Sequence, residues 1–335
     1  MLGFFRRNLF VNLACLLLFA AILHGYYFFS GGESTAEWTS LLLSDKFRDL
    51  LSNRIIAAVV ALLLIVIQAI LVNDIVTKHK FSRSLSSVTG AMFVLFCSLA
   101  LNAEVLHPIL LANLFFILSI RSLFQIYKKH LPIATIFNSG FFLMIAALIY
   151  PAYIIFFISL LLGLISLRNI NIRESLQLLL GLLAPLFLCF VFYHVSGNTN
   201  LIVSHFSDQA AFQWKSLDLG TDSLGLISTY FKPIFFGVFI LFGIILHNSI
   251  KKKKKYDVIK KIELLYWMLL LTLPGYLLVA DSIEPQFLFV LVTAPLSIII
   301  GLIMESDSNK IIKEFFFIIM IAAFFGFQLR SGFAI

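Results

Sequence analysis

The stretch RIIAAVVALLLIVIQAILVNDIVTKHK, residues 54–80, decides the fold. After Arg54 it is, from 55 to 76, almost wholly Ala, Val, Leu and Ile, interrupted by Gln68, Asn73 and Asp74, and it turns basic at Lys78 and Lys80. A helix needs about 20 mainly apolar residues to cross the hydrocarbon core of a bilayer. The run is therefore expected to be a membrane span with a basic flank.

The rest of the chain has the same character. Its 335 residues are 61% apolar and 13% charged, with a mean hydropathy of +1.01. Soluble proteins carry about 25% charged residues, and a water-soluble fold could not hide this much Leu, Ile and Phe. Lipid is the expected solvent for most of the chain. Cys15, Cys97 and Cys189 each lie inside an apolar run with no CxxC spacing, so neither a disulfide framework nor a zinc site is indicated. No metal is expected from the residue pattern.

Working outward from 54–76, further runs of spanning length fall near 8–30, 88–105, 108–127, 132–149, 151–168, 175–196, 231–250, 264–280, 285–304 and 313–330. The expected fold is thus all-α: a single polytopic transmembrane helix bundle over 1–335, with about eleven spans. The first run follows Arg6-Arg7, exceeds a signal-peptide core in length and lacks a small-x-small cleavage site, so it reads as a retained signal anchor. The runs at 88–105, 132–149, 151–168 and 264–280 are short, which suits helices of little tilt or re-entrant turns.

Basic residues give the orientation, because short cytoplasmic loops are enriched in Lys and Arg. With the N-terminus inside, Arg6-Arg7, Lys78-Lys80-Arg83, Lys128-Lys129, Arg168-Arg173, Lys251–Lys255 with Lys260-Lys261, and Lys310-Lys313 share one side. About 19 of the 25 Lys and Arg fall there, and eleven spans place the C-terminus on the outer side. The net charge of +8 is then a consequence of topology, and no nucleic-acid partner is expected. The chain is expected in a bacterial inner membrane, as a multi-pass protein whose partners include membrane lipids.

Three loops stand out. The outer loop 31–53, GGESTAEWTSLLLSDKFRDLLSN, spaces Trp38, Leu41, Leu42, Phe47, Leu50 and Leu51 as one face of an amphipathic helix lying on the membrane. The outer loop 197–230 combines Phe206, Phe212 and Trp214 with a Gly/Asp/Ser stretch. Loops of this length in a tight bundle are more often functional than accidental. The basic cytoplasmic loop 251–263 reads as a stop that pins the eighth span, with a specific lipid or protein docking site as the alternative.

Polar groups inside spans are costly, so each is a candidate for function. Gln68, Asn73, Asp74, Arg121 and Gln125 fall near cytoplasmic ends, Asn138 is mid-span, and Asn102, Glu104, His107, Asn113 and His194 are near outer ends. Asp74 and Arg121 sit at similar depth and are expected to pair, holding helices together. Asn138 is expected to hydrogen-bond a neighbouring helix.

Chemistry is most economically placed at the outer face. Glu33 and Glu37 follow the first span, Glu104 and His107 share the turn NAEVLHP, and Asp281 and Glu284 share DSIEP. Carboxylates near an apolar surface can act as general bases or hold a divalent ion. The competing reading is that outer loops are acidic because the basic residues lie inside. The seven histidines form no HxxxH or HxxEH pair, so a histidine-clustered di-iron site is not supported. No Walker A, GxSxG or strand-linked GxGxxG is present.

Glu33 and Glu37 ahead of the amphipathic 38–52, the turn NAEVLHP, and the span FNSGFFLMIAALIYPAYIIFF at 137–157 together resemble the GT-C type glycosyltransferases that use polyprenyl-phosphate sugars. The resemblance covers the first 195 residues and departs from the family where an Asp or Asp-Glu directly follows the first span. It implies a transferase acting at the outer face on a polyprenyl-phosphate carrier, with Glu33, Glu37, Glu104 and His107 as site residues. The chain also resembles an uncharacterised family of bacterial polytopic inner-membrane proteins sometimes labelled carotene oxygenases, a label the scattered histidines oppose. No cofactor is implied by either. Two further readings stand beside the enzyme: a non-enzymatic subunit with protein partners in an envelope or secretion complex, and a lipid or solute transporter, whose weakness is the shortage of mid-membrane charge.

Overall fold

The computed structural model describes residues 14–23, 53–81, 87–101, 106–127, 129–168, 172–200, 202, 204, 223–246, 254–277, 288–305, 314–322 and 325. Among these residues the regular structure is helical and no strand occurs. The helices are α1 (Ala14–Leu23), α2 (Arg54–Lys78), α3 (Val88–Leu101), α4 (Pro108–Phe124), α5 (Ile133–Ile149), α6 (Phe156–Leu167), α7 (Ile172–Val195), α8 (Ser223–Ile245), α9 (Tyr256–Leu277), α10 (Leu288–Glu305) and α11 (314–322). Two of them, Ile55–Lys78 within α2 and Ile172–Val195, are long and apolar enough to cross a membrane. The amphipathic segment expected in 31–53 lies, apart from residue 53, outside the described residues. So do most of the loop 197–230 and Lys251–Lys253. The backbone of α8 begins at Ser223, inside the stretch read as loop.

Local sequence sets the helix ends. Asn53 starts α2 by accepting the Ile55 N–H at 3.1 Å, an N-cap that satisfies one orphan donor. Lys78 lies in the last turn, where a cation complements the helix dipole. His107 plays the N-cap part for α4, with Pro108 at the first helical position. α5 stops at Tyr150 because a residue before proline is pushed out of the α region, and Tyr150 is extended at φ −145, ψ 102. Pro151–Ile155 then forms a 3-10 turn that runs into α6.

At the centre lie α3 and α10. Every one of the 14 side chains of α3 is buried, as expected of a helix that is apolar on every face. Residues 289–304 of α10 are buried as well. Their approach depends on Gly301, where a β-carbon would stand 2.5 Å from the Thr89 hydroxyl. Around this pair, α2 packs on α3, while α4, α8 and α9 pack on α10; α5 joins through α4, α6 through α9, and α7 through α5. Gly90 on α3 leaves room for Leu16 of α1, and Phe317 of α11 stacks on Phe19 at 6.0 Å.

The outside of the bundle is as oily as its core. Ile55, Leu63 and Ile67 on α2, and Leu180, Phe187 and Phe192 on α7, are exposed. Only 28% of the apolar window of α7 is buried within the protein. Contiguous apolar exteriors of this kind belong against lipid or another protein, not water.

Charge is segregated along the bundle. Asp74 at the end of α2, Arg121 at the end of α4, Arg168 after α6, Glu174 at the start of α7 and Lys261 at the start of α9 lie at one end, here termed the basic end. The opposite end carries the α3–α4 turn with His107 and the α5 terminus with Tyr150.

Candidate functional site

Of the residues expected to act, Glu33, Glu37 and Glu104 lie outside the described residues, as do Asp281 and Glu284. His107 is described. Its Nδ1 accepts the Ile109 N–H at 3.2 Å and its ring meets Tyr150 edge-on at 5.8 Å between centroids. The accepting Nδ1 fixes the neutral tautomer with the proton on Nε2. Burial pushes its pKa down to about 4. An imidazole this hard to protonate is a weak base near neutral pH, where an effective general base would titrate close to 7. His107 is well suited to cap α4 and to offer an Nε2–H donor.

About 9 Å deeper along α4, by helical rise, lies a group of polar side chains that no spacing in the sequence brings together. Tyr153 OH donates to Asn113 Oδ1 at 3.1 Å; Asn113 Nδ2 donates to Gln68 Oε1 at 2.9 Å and reaches Thr293 Oγ1 at 3.4 Å; Gln68 Nε2 donates to the Leu110 carbonyl at 2.8 Å. All four side chains have no exposed surface. The network ties α2, α4, α10 and the 3-10 turn together. By sequence, Gln68 falls near the cytoplasmic end of its span and Asn113 near the outer end of its own. They meet because α2, at 25 residues, runs well past the depth of its neighbours, so Gln68 falls mid-bundle. Thr293 and Tyr153 carried no signal, since a single Thr or Tyr in an apolar run is unremarkable. Rings of Phe116 and Phe156 close over Tyr153 at 5.3 and 6.0 Å. With its polar atoms spent on one another, the network joins helices and offers nothing charged to a substrate.

At the basic end the expected pair forms: Arg121 Nη2 meets Asp74 Oδ2 at 2.9 Å, and Lys78 Nζ shares that oxygen at 2.9 Å. Nearby, Lys261 Nζ lies 3.1 Å from His79 Nδ1 and 5.7 Å from the centroid of the Tyr127 ring. Burial and the Lys261 charge lower the His79 pKa to about 4, so the imidazole is neutral and Nδ1 accepts from the ammonium. Lys254 donates to the Phe81 carbonyl. Arg168 holds Glu174 at 3.0 Å and donates to the Lys129 carbonyl at 2.8 Å. The carboxylates Asp74, Glu174 and Glu263 are thus each engaged by a cation.

Asn138 departs from expectation. It is exposed on the outside of α5, while its neighbour Ser139 is buried and its carbonyl accepts from Ser119 Oγ at 2.7 Å. The interhelical bond is made one residue on, by the Ser139 carbonyl toward α4, while Gly140 faces α7. Among the described residues no three His, Cys, Asp or Glu side chains gather as a metal site.

Comparison with protein-family models, with curated proteins and with solved structures gave no match.

Proposed function

We propose that the chain is a multi-pass protein of a bacterial inner membrane, N-terminus inside, whose activity is confined to its outer face. In this reading it transfers a sugar or related group from a polyprenyl-phosphate donor, in the manner of the GT-C type enzymes it resembles. One observation carries the reading. The mid-bundle polar groups Gln68, Asn113, Tyr153 and Thr293 are bonded to each other, and Asp74, Glu174 and Glu263 at the basic end are held by Arg or Lys. Catalytic carboxylates are sought in the outer segments, at Glu33, Glu37 and Glu104, where the resemblance to the GT-C type enzymes also puts them.

Glu33 or Glu37 would take the proton of the acceptor hydroxyl as its oxygen bonds to the sugar's anomeric carbon, the bond from that carbon to the phosphate oxygen breaks and polyprenyl phosphate leaves. Glu104, three residues before His107 in the same turn, would face the donor phosphate through a metal ion or the acceptor. His107, neutral and spent on its cap, would position the turn and not move a proton. The test extracts the intact protein gently and identifies bound lipid by mass, then measures group transfer in membranes of Glu33→Gln, Glu37→Gln and the double variant. A co-extracted polyprenyl-linked molecule and loss of product with intact folding are expected. Full activity in the double variant would end the reading.

A non-enzymatic subunit is the second reading, favoured by the exposed face of α7 with Leu180, Phe187 and Phe192. It expects a stoichiometric protein partner on gentle extraction and no bound carrier.

A further inference from the structure

Two helices of the bundle are joined in sequence yet stand apart in space. α8 and α9 both pack on α10, and they are bridged by Tyr266 OH donating to the Gly243 carbonyl at 2.8 Å. Between them runs a groove of ≈330 Å³ lined by Ile240 and Ile244 on one wall and by Glu263, Tyr266, Trp267 and Leu270 on the other. Ile244, Trp267 and Leu270 are about half exposed, so the groove opens sideways from the bundle.

The rim is graded. Tyr256, Lys260, Glu263, Trp267 and Leu270 follow one another at helical spacing along a single face of α9. Polar residues come first, at the basic end, then an indole, then aliphatic carbon: the order a side-chain stripe takes on passing from a membrane interface into hydrocarbon. Lys260 Nζ is held at 3.4 Å by Glu263 and stands 5.6 Å from the Tyr256 ring centroid. Glu263 keeps this ammonium charged, raising its pKa; with Glu263 and Tyr256 each taking one N–H, the third is left to point outward. Lys254 and Lys255 immediately precede α9 and add to the positive potential at that end.

We propose that this groove seats an acyl chain of an anionic phospholipid from the leaflet at the basic end, with the lipid phosphate on the Lys260 ammonium. The volume lies at the low end of small-ligand sites, about 300–1,000 Å³. A helix with its side chains is about 10–12 Å across and is too wide for such a slot. A single hydrocarbon chain is of the right calibre, and the excess of Lys254, Lys255, Lys260 and Lys261 over Asp257 and Glu263 at that end favours an anionic headgroup over a zwitterionic one. Glu263 is a positioning residue here, acting through Lys260. The inference rests on the membrane reading above but on none of its chemistry.

The test uses the full chain with Trp38→Phe and Trp214→Phe, leaving Trp267 as the sole indole. It is reconstituted in phosphatidylcholine vesicles containing a minor fraction of brominated phosphatidylglycerol or brominated phosphatidylcholine. Trp267 is expected to be quenched several-fold more by the brominated phosphatidylglycerol, and Lys260→Gln should abolish that preference while general quenching persists. Mass analysis of the unmodified protein should show retained phosphatidylglycerol that Lys260→Gln loses, which guards against a folding defect of the double Phe variant. Equal quenching by both lipids overturns the proposal. So does displacement by millimolar inorganic phosphate, which would mark a free-anion site, or shielding of Trp267 by a co-extracted protein. Quenching by neither lipid overturns it together with the membrane reading, and so separates the two failures.

Discussion

Gly140 on α5 and Gly181 on α7 lie at the same crossing, each against the other helix's backbone: a β-carbon on Gly140 would stand 2.5 Å from the Leu178 carbonyl oxygen, and one on Gly181 closer still to that of Phe137. This backbone-to-backbone seat is the main attachment of α7 to the bundle. Small residues drive such contacts in lipid, where no hydrophobic force favours one helix over another.

Gly181→Val is therefore expected to unseat α7. Overpacking a close contact costs about 1–3 kcal/mol, and the obstructing atoms here are backbone that cannot rotate away. Thermal unfolding in detergent should show a lowered midpoint, and limited proteolysis should release the α7 region first. Gly237, with open space at its β-carbon, is the control: Gly237→Ala should leave the midpoint unchanged.

The buried network gives a second expectation. Asn113→Leu leaves Gln68 Oε1 and the Tyr153 hydroxyl without their partner. Orphaned buried groups cost about 1–3 kcal/mol each in soluble proteins, and interhelical bonds in membranes average about 0.6 kcal/mol. A double-mutant cycle with Gln68→Leu should find the double variant less destabilised than the sum of the singles. Strict additivity would mean that the two amides do not act together.

At the basic end, Asp74→Asn should cost more than Lys78→Gln. Asp74 holds two cations, and its loss strands Arg121, whose Nε is already buried without a partner. Removing Lys78 leaves the Asp74–Arg121 pair intact. The difference is expected to be modest, of the order of 1 kcal/mol, because both carboxylate and guanidinium are partly exposed. Denaturation at low and high salt checks it, the gap narrowing with salt.

The histidines predict a pH dependence. His79 and His107 have folded pKa values of about 4, against an ordinary 6.5. Between those values the unfolded chain binds protons that the folded chain refuses, so stability is complete above about 6.5 and is lost as pH falls toward 4. The unfolding midpoint should drop between pH 7 and pH 5. His79→Asn with His107→Asn keeps side-chain acceptors without titrating, and should flatten the profile. Equal slopes in both proteins would place the dependence elsewhere.

Helix class, approximate helix positions and the Asp74–Arg121 pair were legible in the sequence because each depends on local quantities: run length, flanking charge and depth along a span. The Gln68–Asn113 contact was not, since depth in a bundle depends on how far α2 overshoots its neighbours. The inward turn of Ser139 in place of Asn138 depends on which faces of α5 meet α4 and α7, and the glycines that seat α7 read only as breaks in hydrophobicity. At the candidate site, the break between the end of α3 at Leu101 and the start of α4 at Pro108 was legible from the polar residues there. That His107 is consumed by capping α4 followed from no spacing rule, because an N-cap histidine looks the same in sequence as a catalytic one.

The central pairing of α3 with α10 has a consequence for synthesis. Thr89 and Gly301 touch across more than 200 positions of chain. Helix α3 is made early and spends most of translation without the neighbour that completes its burial. Contacts so distant in sequence form late and slowly. Until α10 is made, the face of α3 around Thr89 and the Asn113 amide on α4 lack the neighbours they meet on α10, Gly301 and Thr293. Assembly is thus gated by elongation, and a ribosome stalled before residue 288 would leave a half-built bundle open to quality-control proteolysis.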